Sequence, residues 1–314
     1  MRTALTKKLT GAFCRWCGGP TPFDKYVTGI EPKNAVSQCF GISKASLCAL
    51  IVVGFATPVF AFDGQTTPTS PFNPEEITPS EALKTGIQQY YSGDKTAALN
   101  SLQYAAENGQ PSAAWKLGEM YAVGDGVDED DLKAFQYYIQ IIREHGADKP
   151  EGANAPFVRS AYVALGKYYK NGIDGVVEKN LGKAQYSFNI AAKLYKDAEA
   201  QYELGRLNQG NNSRMAVRWY NLAALKGHVG AQARLGETLY SLGSSEKKQA
   251  RGLMWLTVAR EQATGSNSDW INEKHEQYFA LSSEPVREMA RILADGWIER
   301  YRPDMLTAQQ AQSQ

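Results

Sequence analysis

Cysteine is the clearest shortage in this 314-residue sequence, because all four cysteines lie within the first 48 residues. The rest of the chain therefore excludes disulfide bonds, thiolate metal sites and cysteine nucleophiles. Histidine is also scarce, since the whole chain has three, and they lie far apart. The formal net charge of +1 shows no excess of either sign. Composition thus gives no indication of a nucleic-acid partner.

An uncharged stretch at 45–62 follows the basic Lys44 and contains a short apolar run. It ends with Pro58 and then with small or β-branched residues at −3 and −1 of a cleavage site after Ala61. This order is typical of a secretory signal peptide, which we predict at 44–61, with the mature chain beginning at Phe62. An uncleaved membrane anchor is the alternative, although the stretch is at the short limit for spanning a bilayer.

The segment before the signal peptide, 1–43, has neither helical nor strand periodicity. We expect an unstructured leader and interpret it as a gene start placed too far upstream. Cys14 and Cys17 form a lone Cys-x-x-Cys pair, and no second pair follows at the spacing that zinc sites use. We therefore favour no metal in the leader.

Two further segments lack the pattern of a folded core. Four prolines within 62–80 exclude a helix or a central strand, so we predict an extended, proline-rich linker. Residues 302–314 are rich in glutamine and have no large apolar cluster, so we predict a disordered tail.

Between these ends the sequence repeats itself in two alternating halves. One half reads Ala-x-x-x-Leu-Gly and occurs at 113–118, 161–166, 200–205 and 231–236. The other half begins with Ala and has bulky residues at positions 3 and 4 and mostly an Ala pair at 7 and 8. It starts at Ala98, Ala134, Ala184, Ala216 and, more loosely, Ala250.

Apolar residues at positions 0, 3, 4, 7 and 8 share one face of an α-helix, so each repeat contains two helices. The period is in the mid-thirties apart from one longer interval, which indicates an insertion at 146–156. The pattern predicts an all-α fold, an α-solenoid over 81–265. Apolar periodicity within 266–301 predicts a helical cap on the end of the array.

The repeated glycines need a physical reason, because glycine inside a helix costs about 1 kcal/mol relative to alanine. We expect them to allow a close approach of the partner helix. Other glycines, at 124–127 and 172–176, predict the turns between the two helices. Asp130 or Asp131, and Asn180, then suit the N-cap of the following helix. The aromatic residues at 137–138, 188 and 219–220 have core-facing spacing.

The segment Asp-Ala-Glu-Ala-Gln-Tyr-Glu-Leu-Gly at 197–205, followed by Trp-Tyr and an Ala pair at 219–224, resembles the Sel1-like repeat, a short relative of tetratricopeptide repeats. The resemblance covers about residues 80–263. It implies a right-handed superhelix of helix-turn-helix units. The third and fourth units lack the tyrosine of the first two, and the last unit is degenerate.

A second resemblance combines the signal peptide with the segments 97–109 and 120–135. Together these are similar to the ExoR family of periplasmic negative regulators of exopolysaccharide production in rhizobia and their relatives. The resemblance implies a periplasmic protein that binds the periplasmic domain of a sensor histidine kinase and restrains its signalling. A regulatory periplasmic protease is the second partner that we expect.

Motifs for catalysis, cofactors or metals are weak throughout the sequence. The acidic turn at 124–131 could hold Ca²⁺, but it lacks the spacing of an EF-hand loop, and a capped turn explains it. His275 begins a zinc-protease-like motif in which Phe279 replaces the second histidine, and His228 is interpreted as a turn residue. We predict no enzyme activity, no cofactor and no metal site.

One set of charged residues recurs directly after each repeat glycine. These residues are Glu119, Lys167, Arg206 and Glu237. They fall on the first helix of each repeat, which lines the concave surface in tetratricopeptide-like solenoids. A solvated helix face explains them without any function. If a binding groove exists, they are its predicted polar lining.

Three functions remain open at this point. The leading hypothesis is a periplasmic regulator that restrains a sensor kinase and thereby controls exopolysaccharide production. The alternatives are a scaffold or adaptor between envelope proteins and an accessory factor of a cell-wall enzyme.

Overall fold

A computed structural model describes residues 77–265 and 268–302, and these residues form twelve α-helices and no β-strand. In chain order the helices are α1 (Pro79–Ser92), α2 (Lys95–Glu107), α3 (Pro111–Val123), α4 (Asp131–His145), α5 (Ala155–Asn171), α6 (Leu181–Leu194), α7 (Ala198–Asn208), α8 (Ser213–Ala224), α9 (Val229–Ser241), α10 (Glu246–Gln262), α11 (Asp269–Leu281) and α12 (Glu284–Tyr301).

Several predicted segments lie outside the described residues. They are the leader, the signal peptide with its cleavage site between Ala61 and Phe62, most of the linker and the tail after Arg302. The end of the predicted linker differs, because α1 already begins at Pro79. Proline suits the first turn of a helix, where its missing N–H would have no partner. Thr78 and Glu81 complete a reciprocal capping box at this end.

The helices alternate as the repeat pattern predicts. First helices (α1, α3, α5, α7, α9) alternate with second helices (α2, α4, α6, α8, α10), and each packs against its neighbours in the chain. First helices also contact one another in consecutive units, as in α3–α5, α7–α9 and the continuation α9–α11. This arrangement is an all-α solenoid. The longest connection between consecutive repeats is 146–154. It falls within the insertion predicted at 146–156, whose last two residues belong to α5.

The repeat glycines lie against the second helix of their own unit. A β-carbon added to Gly118 or Gly166 would come within 2.5 Å of the ring of Tyr138 or Phe188, respectively, and one added to Gly205 would overlap the ring of Tyr220. Gly236 and Gly252 instead bring two backbones together, and a β-carbon on Gly236 would lie 2.7 Å from the carbonyl oxygen of Gly252. The close approach predicted for these glycines is therefore confirmed.

Alanine and aromatic residues of the second helices fill the space between the helices. The alanines that begin the second-half motif are fully buried in every unit. Tyr138, Phe188 and Tyr220 are buried, as their spacing predicts. Tyr137 and Trp219 are only half-buried. Each lies one residue before the buried aromatic, which rotates its side chain by about 100° around the helix and away from the core.

The turns between helices have the predicted caps. Asp130 and Asn180 accept hydrogen bonds from the backbone N–H of Lys133 and Lys183, each at 2.9 Å. Gly124 and Gly172 end the preceding helices with φ of 68° and 81°, a region that favours glycine. The carboxylate of Asp125 bonds Tyr90 and Lys95, so this acidic turn ties the first repeat to the second.

The C-terminal cap consists of two helices, whereas the sequence pattern indicated one. α12 packs on α10, and its buried face includes Val286, Ala290 and Ile298. Trp297 of α12 meets Trp255 of α10 edge to face, with ring centroids 5.3 Å apart. α11 contacts α9 and α10. In the described ranges, no helix has the length and apolar character needed to cross a membrane.

Candidate functional site

The four charged residues predicted after the repeat glycines occupy the same position on successive first helices. Lys167 and Arg206 are exposed, and Glu119 and Glu237 are half-buried. None of the four pairs with another of the set among the described residues. Each instead pairs with a charged residue outside the predicted set, so the site includes more residues than the sequence pattern indicated.

Three of the four form ion pairs with the residue three positions earlier on their own helix. The distances are 3.8 Å for Lys116–Glu119, 3.3 Å for Glu203–Arg206 and 2.8 Å for Arg234–Glu237. The earlier residue stands directly before the Leu-Gly of the repeat. Residues three apart on a helix are neighbours on its surface, which explains why opposite charges at this spacing pair.

Further ion pairs connect consecutive repeats. Lys167 Nζ of α5 lies 2.7 Å from Glu199 of α7, and Lys170 Nζ lies 2.8 Å from Glu203. At the far end, Glu237 of α9 is 3.7 Å from Lys274 Nζ of α11. We call the connected set of charged residues on α5, α7, α9 and α11, together with His228, the polar strip; the separate pair Lys116–Glu119 on α3 is not part of it. Its members are Lys167, Lys170, Glu199, Glu203, Arg206, His228, Arg234, Glu237 and Lys274.

His228 connects two repeats and caps a helix at the same time. Its Nδ1 accepts a 3.0 Å hydrogen bond from the backbone N–H of Ala231 at the start of α9. Its Nε2 lies 2.8 Å from Glu199 Oε2 and must carry the proton, because Nδ1 is the acceptor. Its ring also stacks on Tyr202, with centroids 4.6 Å apart. The prediction of a turn residue is confirmed in position, but His228 does more than end a turn.

The pKa of the Glu199 carboxyl is lowered by its partners in the polar strip. The hydrogen bond from His228, and then that from Lys167, lowers the pKa of its carboxyl to about 2, against the opposing effect of partial burial. The charged form therefore prevails over the whole neutral range. Glu199 accepts from both sides, so it joins α5, α7 and α9 at one point.

Glu203 is the buried charge of the polar strip. Its side chain is 4% exposed and has cations on two sides, Lys170 and Arg206. A buried carboxylate is tolerated only when it is paired and hydrogen-bonded. Arg206 in turn lies over the ring of Tyr202, so a predicted site residue is held in place by Glu203 and an aromatic face.

The C-terminal end of the polar strip is also built around an arginine. Burial opposes the charge of Arg234, but its hydrogen bond to Glu237 raises the pKa of the guanidinium. The guanidinium lies 4.5 Å from the ring centroid of Trp270 on α11. The cap is thus connected to the array by charge as well as by packing.

Several of these residues were missed in the sequence, although a signal exists for some. Lys116, Glu203 and Arg234 precede Leu-Gly, and each has a charge opposite to that of the residue after the glycine. That i, i+3 complementarity is readable from the sequence. The hydrogen bond between Glu199 and His228 cannot be read from the sequence. The two residues are 29 positions apart, and their proximity depends on how the repeats stack.

The weaker chemical motifs fall elsewhere. His275 is buried and hydrogen-bonds Thr257 at 3.3 Å, and burial, followed by the charge of Arg260, lowers its pKa. Phe279 stacks on its ring. In residues 77–265 and 268–302 there is no group of three or more His, Cys, Asp or Glu side chains placed to hold a metal ion.

The Sel1 repeat family matches this chain in four places, at residues 111–144, 159–195, 198–228 and 229–263. These spans correspond to the helix pairs α3–α4, α5–α6, α7–α8 and α9–α10, apart from the last residue of α4 and the first four residues of α5. All members of the polar strip except Lys274 fall within them.

Two regulators are similar over most of their length. The exopolysaccharide production negative regulator of Rhizobium meliloti is 34% identical over 241 residues, which cover 75% of this chain and 86% of the relative. The protein of the same name from Rhizobium leguminosarum bv. viciae is 33% identical over 70% of this chain and 82% of the relative. Among solved structures, a Sel1 repeat protein from Oxalobacter formigenes aligns with a TM-score of 0.46 and 27% identity, over 59% of this chain and 74% of that one.

Proposed function

Because this chain contains four Sel1 repeats and belongs to the family of the exopolysaccharide production negative regulators, we propose that it restrains exopolysaccharide production by binding a signalling partner. The observation that carries the proposal is the 34% identity to such a regulator across 86% of its length. Regulation by such a protein requires a surface that a partner can occupy, and the first helices offer one.

The polar strip supports binding rather than catalysis. Its charged groups are arranged as pairs along stacked helices, which gives a surface with alternating sign and fixed geometry. Such a surface can select a partner of complementary charge and exclude others. Lys167 and Arg206 keep nearly half of their side-chain surface exposed, so they remain available to a partner although both are already held in position.

We propose the periplasmic domain of a sensor histidine kinase as the partner, and the periplasm as the compartment. Both follow from the resemblance in the sequence and from the predicted signal peptide at 44–61. In this proposal the bound regulator favours the inactive kinase, and a periplasmic protease relieves the inhibition by removing the regulator.

The test is exopolysaccharide output in cells that lack the gene. We expect deletion to increase both exopolysaccharide and phosphorylation of the response regulator, and the wild-type chain to restore both. A chain carrying Lys167→Ala and Arg206→Ala should fold but fail to restore them. The matched control, Lys133→Ala with Arg143→Ala, removes two exposed cations of α4 and should restore them fully. If deletion left phosphorylation unchanged, the adaptor role would replace this proposal.

A further inference from the structure

A second surface lies on other helices than the polar strip. Between α8, α10 and α12 there is an open cavity of about 450 Å³. We call it the C-terminal groove. Its lining is apolar for the most part and includes Leu225, Met254, Met289, Leu293 and Tyr301. Leu225 and Tyr301 are more than half exposed, so the apolar lining of the cavity continues onto the surface.

Basic residues border the C-terminal groove. Lys247 and Arg251 of α10 line it, one turn apart, and both are exposed. Arg214 and Arg218 precede the groove residue Asn221 by seven and three positions on α8, so they continue the same helix face. None of these four cations has an acidic partner within 4.0 Å among the described residues, although the polar strip is paired throughout.

The C-terminal groove also contains a polar group without a partner. Trp297 lines the cavity, and only 9% of its surface is exposed. Its indole Nε1–H is buried and has no acceptor within the described part of the chain. A buried donor without an acceptor costs free energy, so this wall of the groove is less stable than a fully hydrogen-bonded one.

We propose that the C-terminal groove is a docking site for an acidic, amphipathic segment of a protein partner. The large apolar side chains of the segment fill the cavity and contact Trp297 in its wall. Its carboxylates face Lys247, Arg251 and the two arginines of α8. The proposal is independent of what binds the polar strip, since the two surfaces share no residue.

The shape of the site favours a protein segment over an anionic membrane. Peripheral membrane binding requires apolar side chains that project into the lipid, with basic groups beside them. Here Met254, Trp255 and Trp297 form a recess, and each is more than 90% buried. A recess of this volume accepts one or two large side chains, which is how a helix or strand anchors itself in a groove.

Binding of a designed peptide to the full chain purified from cells tests the proposal. The probe is a 16-residue amphipathic peptide with leucines at helical spacing and glutamates beside them. The control peptide has lysine at every glutamate position. Titration is followed by the NMR resonance of the Trp297 indole N–H, assigned with Trp297→Phe. We expect the acidic peptide to shift this resonance and to bind at least tenfold more tightly than the lysine peptide.

Variants and vesicles complete the test. Lys247→Glu with Arg251→Glu should weaken the acidic peptide at least tenfold, whereas Lys133→Glu with Arg143→Glu, an equal charge change on α4, should not. Lys167→Ala with Arg206→Ala should bind the peptide normally, which separates this site from the polar strip. Equal binding of the two peptides, or an unmoved Trp297 resonance, would overturn the proposal. So would binding to phosphatidylglycerol vesicles in place of the peptide.

Discussion

At the scale of single residues, the glycines of the first helices determine how closely two helices pack. Tyr220 is fully buried, and its hydroxyl is held by a 2.8 Å hydrogen bond to Gln209. The ring therefore has little freedom to move when a side chain is added at Gly205. Gly86 of α1 plays the same part against Leu102, but no Leu precedes it, which is why the repeat motif did not reveal it.

We expect Gly205→Ala to reduce the free energy of unfolding by about 1–3 kcal/mol, because the new β-carbon overlaps the ring of Tyr220. Gly205→Leu should cost more. Gly296→Ala is the matched control, since this glycine is exposed in α12 and a β-carbon there would meet nothing within 4 Å. It should stabilise the helix by up to about 1 kcal/mol. Urea unfolding measures both, and equal effects of the two changes would show that Gly205 is not at a close contact.

The carboxyl of Glu199 predicts a pH dependence with a definite sign. The pKa of this group is lowered to about 2 in the folded chain, from 4.5 for a free glutamate. Its stabilising effect is therefore fully present above about pH 4.5 and is lost as the pH falls towards 2. Glu199→Gln should flatten the decrease of unfolding free energy between pH 5 and pH 2. An unchanged slope in this variant would mean that its ion pairs do not persist in solution.

At the scale of helices, α12 covers the end of the array. Its buried face packs on α10, and Ile298 is 5% exposed. Ile292 of the same helix is 59% exposed and provides a matched comparison. Ile298→Ala should cost about 2–5 kcal/mol, and Ile292→Ala should remain within about 0.5 kcal/mol. Thermal unfolding monitored by circular dichroism distinguishes them, and a small loss for both would show that α12 is not a cap.

The helices themselves were readable from the sequence, but their contacts were only partly so. Apolar spacing and Gly turns placed the paired helices correctly, because each repeat confirms the next. The cap was harder, since α11 has only two buried residues, Ile271 and His275, and so leaves almost no apolar periodicity. Part of the polar strip could be predicted, because charged residues recur directly after the repeat glycines. Its inter-repeat pairs, such as Lys170 with Glu203, depend on how the repeats stack.

At the scale of the whole molecule, the proposed output is occupancy of a partner. Moving a kinase from about 99:1 active to about 99:1 inactive requires a preference for the inactive state of about 5.5 kcal/mol. An interface of the standard ~1,600 Å² can supply this when its central residues are well packed. The polar strip spans four stacked helices, α5, α7, α9 and α11, which gives such an interface its length.

The affinity of the purified chain for the periplasmic domain of the sensor kinase tests the central claim most directly. Calorimetric titration should give a defined complex. The variant with Lys167→Ala and Arg206→Ala should bind at least tenfold more weakly, and the variant with Lys133→Ala and Arg143→Ala should bind as the wild type does. Circular dichroism must show that both variants are folded. Equal affinity of all three chains, or no binding by the wild type, would contradict the account.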